Sequence, residues 1–64
     1  MDVNTLLAVI QHLESRQALL LKKCRSYDDN SFEHHAYVAQ LQEVINEITY
    51  LTGIVDSIRE ENKS

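Results

Sequence analysis

The chain contains no proline and no tryptophan, and it has only one glycine, Gly53, and one cysteine, Cys24. One cysteine cannot form an internal disulfide, and a lone thiol is typical of a reducing compartment. The longest apolar runs, residues 6–10 and 18–21, are much shorter than the ~20 residues that a transmembrane helix needs. The first residues lack the basic and apolar regions of a secretory signal. These absences predict a cytoplasmic protein without a membrane span.

The small size of the chain limits the core that it can build. An isolated domain of roughly 60 residues buries only ~60% of its unfolded surface, and such domains usually rely on disulfides, a metal or a partner chain. The net charge of −4 lies in the second half, because residues 1–32 sum to zero and residues 33–64 sum to −4. An acidic chain repels phosphate backbones, which disfavours nucleic acid as a ligand. The composition therefore favours a protein partner, either a second copy of the chain or another protein.

Apolar residues in the first segment recur at alternating steps of three and four. This heptad pattern, with a polar interruption at Gln17, predicts a helix over about residues 3–26. Asp2 is placed to cap the N-terminus of that helix. The residues of the pattern are Val3, Leu6, Ile10, Leu13, Gln17, Leu20, Cys24 and Tyr27.

The second segment repeats the same steps and predicts a helix over about residues 31–60. Asn30 and Glu33 resemble a capping box at its start. Gly53 is the natural point for this helix to stop or bend, since glycine costs ~1 kcal/mol in a helix interior. The residues of the pattern are His34, Tyr37, Leu41, Val44, Ile48, Leu51, Val55 and Ile58, and the stripe is widened on one side by Val38, Ile45 and Thr52.

The two periodic segments flank one polar break at residues 27–30. A break this short between two long helices favours an antiparallel connection. The sequence therefore predicts a single all-α domain, an antiparallel two-helix hairpin that resembles a coiled coil. Self-association or a partner protein would complete its core.

Both predicted helices carry more apolar surface than one seam between two helices can cover. Contiguous exposed apolar surface usually marks an interface, although some of these side chains could simply lie across the edge of the seam. The predicted partner-binding residues are Val3, Leu7 and Leu21 on the first helix and Phe32, Tyr50 and Ile54 on the second.

The sequence predicts no catalytic, cofactor-binding or metal-binding residue, and hence no enzyme. If the chain turns near Asp29, His34 lies opposite Cys24 and His12 lies far from both. Two ligands are too few for a zinc site. A thiol–imidazole nucleophile would also need a pocket and an oxyanion site, which a hairpin of two helices does not offer.

Residues 31–58 resemble the second helix of the small YscE-type co-chaperones of bacterial type III secretion. The likeness rests on Ser31-Phe32-Glu33 and on residues 41–55, Leu-Gln-Glu-Val-Ile-Asn-Glu-Ile-Thr-Tyr-Leu-Thr-Gly-Ile-Val. The resemblance implies a cytoplasmic hairpin that pairs with a tetratricopeptide-repeat chaperone and keeps the needle subunit monomeric.

Two other functions stay open. One is a homodimeric four-helix-bundle regulator, in which the basic cluster Lys22, Lys23 and Arg25 could contact RNA. The other is a structural coiled-coil subunit of a larger assembly.

Overall fold

Two long helices account for nearly all of the described chain. In the computed structural model, which describes residues 2–63, helix α1 spans Val3–Ser26 and helix α2 spans Phe32–Lys63. The helices are joined by residues 27–31 and pack side by side in a rod of 50 × 15 × 14 Å. The predicted all-α two-helix hairpin is confirmed.

Asp2 caps the start of α1, as the sequence predicts. Its carboxylate accepts a hydrogen bond from the backbone N–H of Thr5 at 2.7 Å, and its carbonyl oxygen accepts one from the N–H of Leu6 at 3.1 Å. The hydrogen bonds from Thr5 lower the pKa of the Asp2 carboxyl. The cap therefore stabilises the helix above the ordinary pKa of an aspartate, and this stabilisation is lost as the pH falls through the lowered value.

An aspartate and a serine close the turn between the helices, without glycine or proline. The carboxylate of Asp28 accepts a hydrogen bond from the backbone N–H of Asn30 at 3.2 Å. The backbone carbonyl oxygen of Asp28 accepts two more from Ser31, one from the N–H at 2.9 Å and one from the hydroxyl at 2.7 Å. The Ser31 hydroxyl oxygen accepts from the N–H of His34 at 3.1 Å, so Ser31 caps α2. The prediction that Asn30 is the cap is wrong by one residue, because Asn30 belongs to the turn that Asp28 stabilises.

The core forms two clusters along the seam between the helices. Leu6, Ile10 and Val55 make one cluster near the open end of the hairpin. A second cluster lies closer to the turn and contains Leu13, Leu20 and Val44. The half-buried Ile48 and Leu51 pack against both clusters and connect them. Within residues 2–62 every buried side chain is apolar and belongs to the predicted heptad pattern: Leu6, Ile10, Leu13, Leu20, Cys24, Val44 and Val55.

Helix α2 continues through Gly53 to Lys63, as the predicted helix over about residues 31–60 requires, so the helix does not stop at this glycine. The packing of the hairpin does not require a glycine at this position, because a Cβ atom added to Gly53 would meet nothing within 4 Å. Packing along the seam on both sides of Gly53 outweighs its unfavourable helix propensity.

We expect Gly53→Ala to stabilise the hairpin by about 1 kcal/mol, since alanine is the better helix former and its Cβ has room. Thermal and urea unfolding followed by circular dichroism would measure the gain. The matched control is Ala39→Gly, the reverse change at another exposed position inside α2, which should cost a similar amount. A Gly53→Ala variant that unfolds more easily than the wild type would contradict this account of α2.

Candidate protein-binding surface

Several large apolar side chains are exposed although the core is small. They are Leu7, Val9, Leu19, Leu21, Tyr27, Phe32, Val38 and Tyr50. The Tyr27 side chain already packs within the hairpin, because its ring stacks on that of Tyr37 with centroids 5.7 Å apart. The others are candidates for contact with another molecule, and their position around the seam decides which of them can act together.

One side of the hairpin is formed by two rows, one on each helix, of residues that are spaced seven apart and directly follow seam residues. On α1 these include Leu7, after Leu6, and Leu21, after Leu20. In an antiparallel pair the equivalent rows of the two helices lie on the same side of the seam. The matching row on α2 consists of Val38, Ile45 and Thr52, so both rows together form the apolar side: Leu7, Leu21, Val38, Ile45 and Thr52.

The two sides of the hairpin differ in charge. From Leu7 to Leu21 on α1 and from Val38 to Thr52 on α2, these rows contain one charged residue, Glu14. The opposite rows, also spaced seven residues apart, run from Val9 to Lys23 on α1 and from Glu33 to Glu61 on α2, and they form the charged side, on which Val9 is an exposed apolar exception. The charged residues of that side are Arg16, Lys23, Glu33, Glu47 and Glu61. A partner that covers the apolar side therefore desolvates few charges.

A shallow groove beside Leu7 gives the apolar side a concave feature. It is lined by Leu7, Ile10 and Glu14, together with Asn4, Ala8 and Gln11. A groove of this kind can accept a side chain from another helix, as in ridge-and-groove packing.

The structure places two of the three predicted partner-binding residues of α1 on the apolar side. Leu7 and Leu21 are exposed there. Val3 belongs to the seam and is half-buried, because it packs against the cluster of Leu6, Ile10 and Val55. Val3 consequently has less surface left to offer than the two leucines.

The predicted partner-binding residues of α2 do not form one patch. Phe32 and Tyr50 are both well exposed, but they are 18 positions apart, which corresponds to about 27 Å along a helix. Ile54 is half-buried against the cluster near the open end. Tyr50 and Ile54 do lie together, because both line an open groove on α2 with Thr49, Gly53, Ser57, Ile58 and Glu61.

Three exposed apolar residues, Val9, Leu19 and Val38, are absent from the contact residues that the sequence predicts. Val38 completes the apolar side opposite Leu21. In the sequence, only its position in the widened apolar stripe of the second helix indicated this role. Leu19, the most exposed leucine, lies on the outer face of α1 directly before the buried Leu20. The exposure of Leu19 could not be predicted from the apolar run 18–21, since the heptad pattern identifies the residues of the seam and not the exposure of the residues beside it.

The histidines do not converge on a common site. His34 lies opposite Cys24, as predicted, and its Nδ1 atom is 2.9 Å from the carbonyl oxygen of Cys24. His35 contacts the His34 ring edge-on, with centroids 5.8 Å apart, and His12 is exposed on α1. Within residues 2–63 no three His, Cys, Asp or Glu side chains are grouped closely enough to hold a metal ion. The hydrogen bond of His34 instead ties the start of α2 to the end of α1.

Comparisons with protein-family models, curated proteins and solved structures gave no match to this chain. Neither described helix has an apolar stretch long enough to cross a bilayer.

Proposed function

We propose that this chain is a non-enzymatic protein-binding module that acts in the cytoplasm and uses its apolar side as the contact. One observation carries the proposal. Leu7, Leu21 and Val38 lie on the same side of the hairpin and are 38%, 39% and 42% exposed, in a chain with few buried side chains. Contiguous apolar surface with few charges is typical of an interface.

The energetics support a partner that covers this side. Full burial of a Leu or Val side chain contributes roughly 1.5–3 kcal/mol. Each of these three side chains has a substantial part of its surface left to bury, so each can contribute on the order of 1 kcal/mol. The rod shape adds a preorganised surface, because a helix face loses little backbone entropy on binding.

The partner that we propose is a tetratricopeptide-repeat chaperone, with which this chain would act as a co-chaperone in type III secretion. The resemblance of residues 31–58 to YscE-type chains supports this choice. A repeat protein offers a concave surface made of helices, and a helical hairpin can pack its apolar side on the edge of that surface. The pair would then cover the amphipathic helix of a needle subunit and keep that subunit monomeric.

Co-expression with a candidate repeat-protein chaperone and its needle subunit tests the proposal. We expect the three chains to co-purify, and we expect omission of this chain to leave the chaperone less soluble or the needle subunit polymerised. Size-exclusion chromatography with light scattering measures the stoichiometry. Absence of binding at low and at physiological salt would contradict the co-chaperone role. Capture of RNA that weakens steeply with salt would instead favour the regulator alternative.

A further inference from the structure

The apolar side has the dimensions of a small dimer interface. The rod is 15 Å wide, and the two helices run side by side along the 24 residues of α1, about 36 Å. The side that they share therefore projects roughly 540 Å² per copy, which is near the lower limit of specific protein interfaces. Burial against a second copy would also stabilise the hairpin, because no side chain within residues 2–62 is fully enclosed. A second copy supplies a surface of the same length, the same width and the same scarcity of charge.

The charge on the apolar side selects one arrangement of the copies. Most charges of α1 and α2 lie outside the apolar side, so Glu14 is the charge that decides. If the turns of the two copies lie at the same end, α1 of each copy faces α2 of the other, and Glu14 faces the uncharged Ile45. If the turns lie at opposite ends, each helix faces its own equivalent, and Glu14 of one copy meets Glu14 of the other. The cost of bringing like charges together favours the first arrangement.

We propose that, without another protein bound, the apolar side is covered by a second copy of this chain in a four-helix bundle whose two turns lie at the same end. In this bundle Leu21 of each copy lies opposite Val38 of the other, because these residues stand at the same distance from the turn. A two-fold axis makes every such contact twice. The proposal does not depend on the co-chaperone role, but both use the apolar side, so a second copy and a chaperone compete.

Sedimentation equilibrium of the purified chain tests the association. We expect the average mass to rise from 7.4 kDa towards twice that value as the concentration increases, and the melting temperature to rise with it. Leu21→Glu and Val38→Glu should each weaken dimerisation at least about tenfold, because they place a charge in the interface. The matched control is Val9→Glu on the charged side, since Val9 is 40% exposed and resembles these residues in accessibility.

A second variant tests the same interface by a gain of affinity, which misfolding cannot imitate. Glu14 is the charge that the second copy would cover, so Glu14→Leu should tighten the dimer severalfold. Arg16→Leu makes the corresponding change on the charged side and should leave the dimer constant unchanged. A monomeric mass at all concentrations, or equal effects of Glu14→Leu and Arg16→Leu, would overturn the proposal.

Disulfide trapping tests the arrangement in a Cys24→Ser background. A mixture of Leu21→Cys chains and Val38→Cys chains should form the mixed disulfide when the turns lie at the same end. A mixture of Leu7→Cys and Leu21→Cys chains should crosslink only if the turns lie at opposite ends, and that result would overturn the arrangement. Chaperone binding is measured separately on the wild-type chain, so failure of the dimer and failure of the co-chaperone role remain distinguishable.

Discussion

Leu20→Asp is expected to unfold the hairpin, whereas Leu19→Asp at the neighbouring position should leave it folded. The two leucines have the same chemistry and sit on the same turn of α1. Leu20 is 5% exposed within the cluster that contains Leu13 and Val44, while Leu19 is 55% exposed. This pair therefore isolates the effect of burial from that of helix propensity.

The expected size of the Leu20→Asp effect follows from the small stability of the chain. A charge left unpaired in a core costs roughly 3–5 kcal/mol, and the lost leucine packing adds to that cost. A chain of this length has a total stability on the order of 3–10 kcal/mol. The substitution at Leu19 should cost less than about 1 kcal/mol, because the new carboxylate stays in water.

Circular dichroism and thermal unfolding at matched concentrations measure both variants. Leu13→Asp and Ile48→Asp should behave like Leu20→Asp, since Leu13 is buried and Ile48 packs against both clusters. If Leu20→Asp retained the helicity and melting temperature of the wild type, the seam between α1 and α2 would be misplaced.

Leu7→Glu combined with Leu21→Glu is expected to abolish detectable binding of the chaperone partner, with a loss of several kcal/mol. Two buried charges on the apolar side would each cost on the order of the ≥2 kcal/mol that defines an interface hot spot. Both positions are exposed in the free hairpin, so its helicity should persist. Isothermal titration calorimetry of the purified variant with the chaperone measures the loss directly.

Two controls locate the binding surface. Val9→Glu places a charge on the opposite side and should leave the affinity for the chaperone unchanged. Tyr50→Ala combined with Ile54→Ala removes the apolar part of the groove on α2, the other predicted surface. If this second pair weakened binding while the Leu7 and Leu21 changes did not, the chaperone would dock on the groove of α2. Wild-type affinity in both double variants would place the contact elsewhere.

The fold could be predicted from the sequence because one pattern controls it. Alternating steps of three and four place Leu6, Ile10 and Leu13 on one face of α1, and the same steps place Val44 and Val55 on one face of α2. Burying both faces against each other leaves little choice of arrangement for two helices with a short connection. Local competition explains the error at the cap, because Asn30 and Ser31 are both good caps and the Asx turn at Asp28 decides between them.

The candidate surface could be predicted only in part. A helical wheel gives the angle of a residue but not its neighbours on the other helix. Leu7 and Leu21 could be picked from α1 alone, but their grouping with Val38 depends on the antiparallel direction of α2. Phe32 and Tyr50 show the opposite failure, since they share an angle on α2 and yet lie about 27 Å apart along the rod.

The reactivity of the buried thiol near the turn can report local opening of the hairpin. Cys24 is the only thiol in the chain, its side chain is 5% exposed, and its carbonyl oxygen lies within hydrogen-bonding distance of the His34 ring. An alkylating reagent can reach the sulfur only when the end of α1 and the start of α2 separate. The alkylation rate divided by the rate of an unfolded control therefore gives the equilibrium constant of that opening. Any molecule that clamps the helices together will slow the alkylation of an unmodified sequence, so its binding can be followed without a label.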